Sequence, residues 1–148
     1  MMQLSAKLIS AADTHSLRHL VLWPHLDSPE RCVLAIDEQA DAFHVGVFVE
    51  DRLVSIGSFF ALQSERLLLQ PQYRLRAMAT DPDFRRRHAG DVLIEFAAER
   101  LRLMGVRALW CDARLVAFPC YKSLGFSWHE DVYEVPLIGP HYFMWKEL

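Results

Sequence analysis

Between residues 73 and 126 the apolar side chains switch repeatedly between strand and helix spacing, and that order leaves few folds open. Residues 73–80 (YRLRAMAT) alternate, with Leu75, Ala77 and Ala79 opposing Arg74, Arg76, Met78 and Thr80, which predicts a strand with two unlike faces. Asp81-Pro82-Asp83 ends it. Leu93, Phe96, Ala97, Leu101 and Met104 then recur at helical spacing. A helix therefore starts near Ala89 or Gly90 and stops at Gly105, where a C′ glycine belongs. Residues 106–112 (VRALWCD) read as a buried strand, and residues 115–124 as a short helix in which Pro119 sits in the first turn or makes a kink. Gly125 ends that helix.

The flanks add strands. Residues 3–9 alternate loosely as a first strand, and Asp13 is an N-cap for a helix reaching about Val21, which Pro24 stops. Residues 23–42, with Pro24, Pro29 and the acidic DEQAD run, read as loop with one short strand. Residues 43–50 and 53–62 are β-rich and meet at Asp51-Arg52, a hairpin, with Gly57 marking a bulge or a close backbone approach. Residues 63–72 are loop, and two last strands, 128–135 and 141–148, flank Pro136 and Pro140. Strands followed by strand–helix–strand–helix–strand imply an α/β fold with a mixed sheet.

With 148 residues, 52% hydrophobic and 24% charged, the chain is sized and composed as a single globular domain over 1–148, not a disordered one. The net charge of -3 argues against a general binder of nucleic acid or membrane surfaces. No apolar run approaches the ~20 residues that span a bilayer. MMQLSAKLISAADTH lacks a basic start before a long apolar stretch, which predicts no secretory signal and a cytoplasmic protein. Cys32, Cys111 and Cys120 match no zinc pattern and read as reduced thiols. No metal is expected: His15 and His19 have two-ligand spacing but no third partner in sight, so a solvated helix face is preferred. His44 and His141 read as core or edge histidines, and Trp23, Trp110, Trp128 and Trp145 as core, with Trp128 also a candidate wall for an acceptor site.

The junction MATDPDFRRRHAGDVLI carries the chemistry. The first N–H groups of a helix have no intrahelical acceptor, and the helix dipole makes that end attractive to anions. Arg85, Arg86 and Arg87 add full positive charges there, and Gly90 keeps a side chain out of a ligand's way. A phosphate or pyrophosphate site is one reading, and a solvated arginine loop is the other. With one glycine and no Gly-Lys-Ser/Thr, the junction is neither a Walker loop nor a dinucleotide fingerprint.

The segment LRAMATDPDFRRRHAGDVLIEFAAERLRLMGVRALWCDARLVAFPCYKSLGF resembles the GCN5-related N-acetyltransferases (GNAT). Their signature is a strand, then Arg/Gln-x-x-Gly-x-Gly/Ala opening a helix, then a strand, then a short helix with Tyr ending in Leu-Gly-Phe. Arg85-Arg86-Arg87-His88-Ala89-Gly90 fills the loop, with His88 replacing the first glycine, and Tyr121-Lys122-Ser123-Leu124-Gly125-Phe126 fills the tail. The ending IGPHYFMWKEL looks like the last strand of a small bacterial branch of the family. The resemblance implies a mixed, mostly antiparallel central sheet of about six to seven strands flanked by helices.

It further implies acetyl-CoA as co-substrate. Arg85, Arg86, Arg87, His88, Ala89, Gly90 and Asp91 would hold its phosphates, and Met78, Ala79 and Thr80 would contact its pantetheine and acetyl group. Arg114 would be a further coenzyme A contact. The sheet would splay after residue 79. Tyr121 would donate a proton to the coenzyme A sulfur, and an amide near Ala79 would polarise the thioester carbonyl. Arg76 is read as facing the acceptor pocket and favouring a carboxylate-bearing substrate. For the general base, Glu50, Asp112 and His141 are the candidates, and Cys120 reads as buried and inert. The expected activity is direct acetyl transfer to a primary amine of a small molecule or peptide, with a homodimer through the terminal strands compatible with their apolar ends. The rival is a non-catalytic coenzyme A-binding sensor or scaffold, which His88 in place of glycine keeps open.

Overall fold

The alternating runs assemble into one seven-stranded sheet in a computed structural model that describes residues 3–148. The two N-terminal methionines of the export-signal reading lie outside the described residues. The strands are β1 (Leu4–Ile9), β2 (Phe43–Val49), β3 (Arg52–Ala61), β4 (Gln72–Thr80), β5 (Ala108–Arg114), β6 (Ser127–Val135) and β7 (Gly139–Glu147). Their order is β1-β2-β3-β4-β5-β7-β6, and every pair is antiparallel except β4–β5. The helices are α1 (His15–Leu17), α2 (Ala89–Leu103) and α3 (Phe118–Ser123).

A parallel pair needs a crossover connection, and α2 supplies it. Its apolar stripe of Leu93, Ile94, Ala97 and Leu101 is buried on one face of the sheet, against Val45, Phe59, Leu75 and Leu109. Burying each leucine or isoleucine fully contributes roughly 1.5–3 kcal/mol, so this stripe is the main anchor of the domain. α3 lies over the same face through Phe118 and Tyr121, and Pro119 sits in its first turn, where a missing N–H costs nothing. Gly105, at φ 81°, closes α2 in the left-handed region.

The opposite face is covered by the helical segment 12–22, which differs from the expected helix. It opens as a 3-10 turn (Ala12–Thr14), passes through α1 and ends as a π turn (Arg18–Leu22). Its cap is a reciprocal pair: the Ser10 amide donates to Asp13 Oδ2 at 3.1 Å and the Asp13 amide to Ser10 Oγ at 3.2 Å. Asp13 thus caps from inside the first turn, paired with Ser10 three residues before it. Residues 23–42 contain a 3-10 turn (Pro29–Arg31) and no strand. Arg18 fastens this layer. It is fully buried and grips Asp37 with two bonds of 2.7 and 2.8 Å, while donating also to the Cys32 carbonyl and Ser58 Oγ.

Two irregularities in β4 position the site. Ile56 pairs with Ala79 and Ser58 with Arg76, so Gly57 faces two residues, Ala77 and Met78. Ala77 sits at φ 53°, the conformation of a bulge. The extra residue reverses the alternation expected from the sequence. Leu75 and Met78 point to the α2 face, whereas Arg74, Arg76 and Ala79 share the other, and Ala79 packs with Leu17 and Ile56. Gly57 is required by packing, since a Cβ there would lie 2.9 Å from Leu93 Cδ2.

The second irregularity is the short parallel ladder. β4 and β5 pair only through Gln72–Ala108, Tyr73–Leu109 and Arg74–Trp110. Beyond Arg74 the strands part, five residues before the expected splay after residue 79. Because β5 stays paired with β7 as far as Arg114–His141, β4 is the strand left without a neighbour on that side.

Candidate active site

A cleft of about 280 Å³ opens where β4 and β5 part. One wall carries Leu75, Met78, Ala117 and Tyr121 from the α2 and α3 side, and the other carries Arg74, Arg76, Asp112 and His141. Leu22, Trp23 and Leu34 close it from the N-terminal layer, and Val135 and Ile138 from the β6–β7 hairpin. The cleft therefore passes through the sheet. Trp23, not Trp128, is the tryptophan that walls it; Trp128 packs edge-on against Phe118 at 5.0 Å.

Behind Met78 of the first wall lies the N-terminus of α2. The amides of Ala89, Gly90 and Asp91 are the first of the helix and have no acceptor within it. Arg85, Arg86, Arg87 and His88 are exposed around them. His88 occupies the N-cap at φ 66°, and Arg86 has φ 61°, so the turn keeps the left-handed geometry in which glycine is at ease. The imidazole does not plug the amides. It is 84% exposed and contacts the Asp91 carboxylate at 3.2 Å. Gly90 also has a packing role. A Cβ there would meet Met78 Cε at 3.2 Å and Leu124 at 3.6 Å, so its bareness lets α2 settle on β4 and α3. The turn, its positive charge and the open edge of β4 together fit a long diphosphate-bearing ligand such as acetyl-CoA, as the donor set is backbone amides and guanidinium groups.

Tyr121 lies at the cleft, its ring edge-on to Phe126 at 5.4 Å. Burial pushes its hydroxyl well above the ordinary tyrosine range, with the neighbouring thiols adding to the effect, so it is protonated at neutral pH. Arg114 lines the same cleft at the end of β5. Ala79 and Thr80 have buried or engaged side chains, Thr80 Oγ1 lying 2.9 Å from Ser55 Oγ, and only their main chain borders the open edge.

Asp112 is held on both oxygens: Arg74 donates to Oδ2 at 2.8 Å and the Tyr133 hydroxyl to Oδ1. Arg76 reaches neither oxygen, and its guanidinium has no hydrogen-bond or ion-pair partner among the described residues. Burial, with Arg74 and Arg18 nearby, lowers the pKa of Arg76 from its ordinary value. Glu50, exposed in the β2–β3 turn at φ 54°, is remote from the cleft. Cys120 is exposed rather than buried, yet desolvation raises its thiol pKa, so it is not an activated nucleophile. His19 is committed to the Leu26 carbonyl at 2.8 Å, and no group of three or more His, Cys, Asp or Glu among the described residues could hold a metal ion. No helix among them is long and apolar enough to cross a membrane.

The profile of the Acetyltransferase (GNAT) family matches residues 8–126. The chain belongs to that family. It is 41% identical to the uncharacterized N-acetyltransferase YitI of Bacillus subtilis (strain 168) over 146 residues, covering 98% of this chain and 97% of that one. Among solved structures it is similar to an aminoglycoside 6'-N-acetyltransferase complexed with coenzyme A, with a TM-score of 0.75 at 14% identity, covering 97% of this chain and 96% of the other. It also resembles the ribosomal-protein-S18-alanine N-acetyltransferase of Escherichia coli, with a TM-score of 0.69 at 17% identity, covering 99% and 93%. This GNAT domain is therefore an acyltransferase that moves acetyl groups, and the seven-stranded mixed sheet is the family's fold.

Proposed function

We propose that this GNAT enzyme passes an acetyl group from acetyl-CoA directly to a primary amine of a small molecule or peptide, in the cytoplasm. The observation that carries the reading is the cleft through the sheet, with the positive end of α2 at one side and Tyr121 in its wall. Arg85, Arg86 and Arg87 and the amides of His88 to Asp91 would hold the diphosphate, and Arg114 would add a contact. The main chain of Met78, Ala79 and Thr80 would run beside the pantetheine, one of those amides polarising the thioester carbonyl. Tyr121 would give its proton to the departing sulfur. Arg76 would bind a carboxylate on the acceptor. The cytoplasmic setting suits three cysteines that are all free.

A non-catalytic coenzyme A sensor is the weaker reading, because His88 turns to Asp91 and leaves the helix amides open. The test has two arms. Acetyl-CoA at ~100 times its dissociation constant should raise stability by about 2.7 kcal/mol in a thermal melt. Thiol release against free amino acids, small peptides and polyamines should then find a substrate, and Tyr121→Phe should lower kcat by about 10²–10⁴-fold while the acetyl-CoA KM holds. A melt that shifts with no amine acetylated would favour the sensor.

A further inference from the structure

We infer that His141 is the general base, its Nε2 taking the proton from the acceptor ammonium. The inference rests on the transferase reading of this cleft and deepens it. His141 lies on β7 and is 4% exposed, yet it lines the cleft. Its Nδ1 sits 2.7 Å from the Gly139 carbonyl oxygen. A carbonyl can only accept, so Nδ1 carries a ring proton, and in the neutral imidazole the lone pair is on Nε2. Nε2 has no partner among the described residues. A ring nitrogen on a cleft-lining imidazole, with its tautomer set from behind and a lone pair left for the cavity, is the arrangement that proton abstraction needs.

The other groups around it do not compete. In register with His141 stand Arg114 on β5 and Tyr133 on β6. Asp112 on β5 is committed to Arg74 and Tyr133, and Arg74 and Arg76 on β4 are cations. Tyr121 on α3 is held protonated by burial.

The protons balance as follows. The acceptor ammonium gives one proton to Nε2 and becomes a neutral amine. Its nitrogen forms a bond to the acetyl carbon as the carbon–sulfur bond breaks. Tyr121 protonates the sulfur and recovers the second proton shed by the nitrogen as the amide forms. His141 returns the first proton to solvent, so the products are an acetamide, coenzyme A and one proton.

His141→Asn is the test variant, because its amide nitrogen takes the place of Nδ1 and keeps the Gly139 bond while removing Nε2. With the amine of highest turnover in the panel, kcat/KM should fall about 10²–10⁴-fold. The acid limb expected in the native enzyme's pH profile should vanish, and the thermal shift with acetyl-CoA should persist. An unchanged acid limb would overturn the assignment. A second measurement needs no acceptor: in ¹⁵N-histidine NMR of the whole protein, the resonance absent from His141→Asn should report a proton on Nδ1 and none on Nε2. The reverse tautomer would overturn the inference. If no amine is acetylated by the native protein, the transferase reading fails instead, and the NMR result alone decides His141.

Discussion

Arg76 is the residue whose surroundings ask most clearly for a ligand. It is half-buried, the Asp112 carboxylate beside it is engaged by Arg74 and Tyr133, and burial together with two other arginines opposes its charge. A guanidinium kept this way is relieved by an incoming anion, and a carboxylate matches its fork. Hydrogen bonds to charged groups contribute about 1.5–3 kcal/mol. Replacing Arg76 by Gln should therefore raise KM for a carboxylate-bearing amine by about 10–150-fold, and leave KM for acetyl-CoA and for the matching amide-capped amine where they were. Steady-state kinetics with the two acceptors checks this; an equal loss on both would assign Arg76 to packing. Nothing in the sequence marked the vacancy around Arg76, since it arises from Tyr133, 57 positions away, completing the shell of Asp112.

At the scale of elements, β3, β4 and α2 depend on one another. Gly57 of β3 lies beneath Leu93 of α2, and opposite it β4 spends two residues where one would do. A methyl at Gly57 would have to displace a fully buried leucine, and overpacking of that kind costs about 1–3 kcal/mol. Gly57→Ala should lower the urea midpoint accordingly, with the acetyl-CoA site suffering first because Leu93 is one turn from the helix start. Strand and helix identities were readable because a period of two and a period of 3.6 are local signals, and the glycine in the Gly57 run announced a close approach. The facing of β4 was not readable. The bulge turns on Ala77, a residue that sequence rules never assign to a positive φ, and parity reverses silently after it. The length of the β4–β5 ladder was hidden for a different reason: where two strands part is decided by what stands between them, and the sequence lists neither neighbour.

For the whole molecule, carboxylates tie the N-terminal layer to the sheet and the turn after β4 to β3. Burial alone would raise the pKa of Asp37, but Arg18 and the Leu34 amide outweigh it and hold the group below its ordinary value. Asp81 is lowered as well, first by the Asp83 amide and then by Arg52. A carboxylate whose folded pKa is depressed stabilises the fold at every pH above its unfolded value, near 4, and that contribution drains away as pH falls through the folded value. The urea midpoint should thus be level from pH 7 to about 5 and drop steeply below about 4, with Asp81→Asn giving a shallower acid drop from a lower plateau. A midpoint independent of pH down to 3 would contradict both assignments. The same ties set the acceptor side of the cleft, because Arg18 and Asp37 anchor the layer that presents Leu22, Trp23 and Leu34.

The early parting of β4 from β5 makes the sheet a partition with a single window. In the proposed reaction the nucleotide donor would lean in from one room and the amine from the other, so neither would have to leave before its counterpart entered. Both would then be present together as the bond forms, and the enzyme would never carry the acyl group by itself. A molecule tethering the two halves would hang through the window like a bolt through a plate, and it would gain from both sides at once.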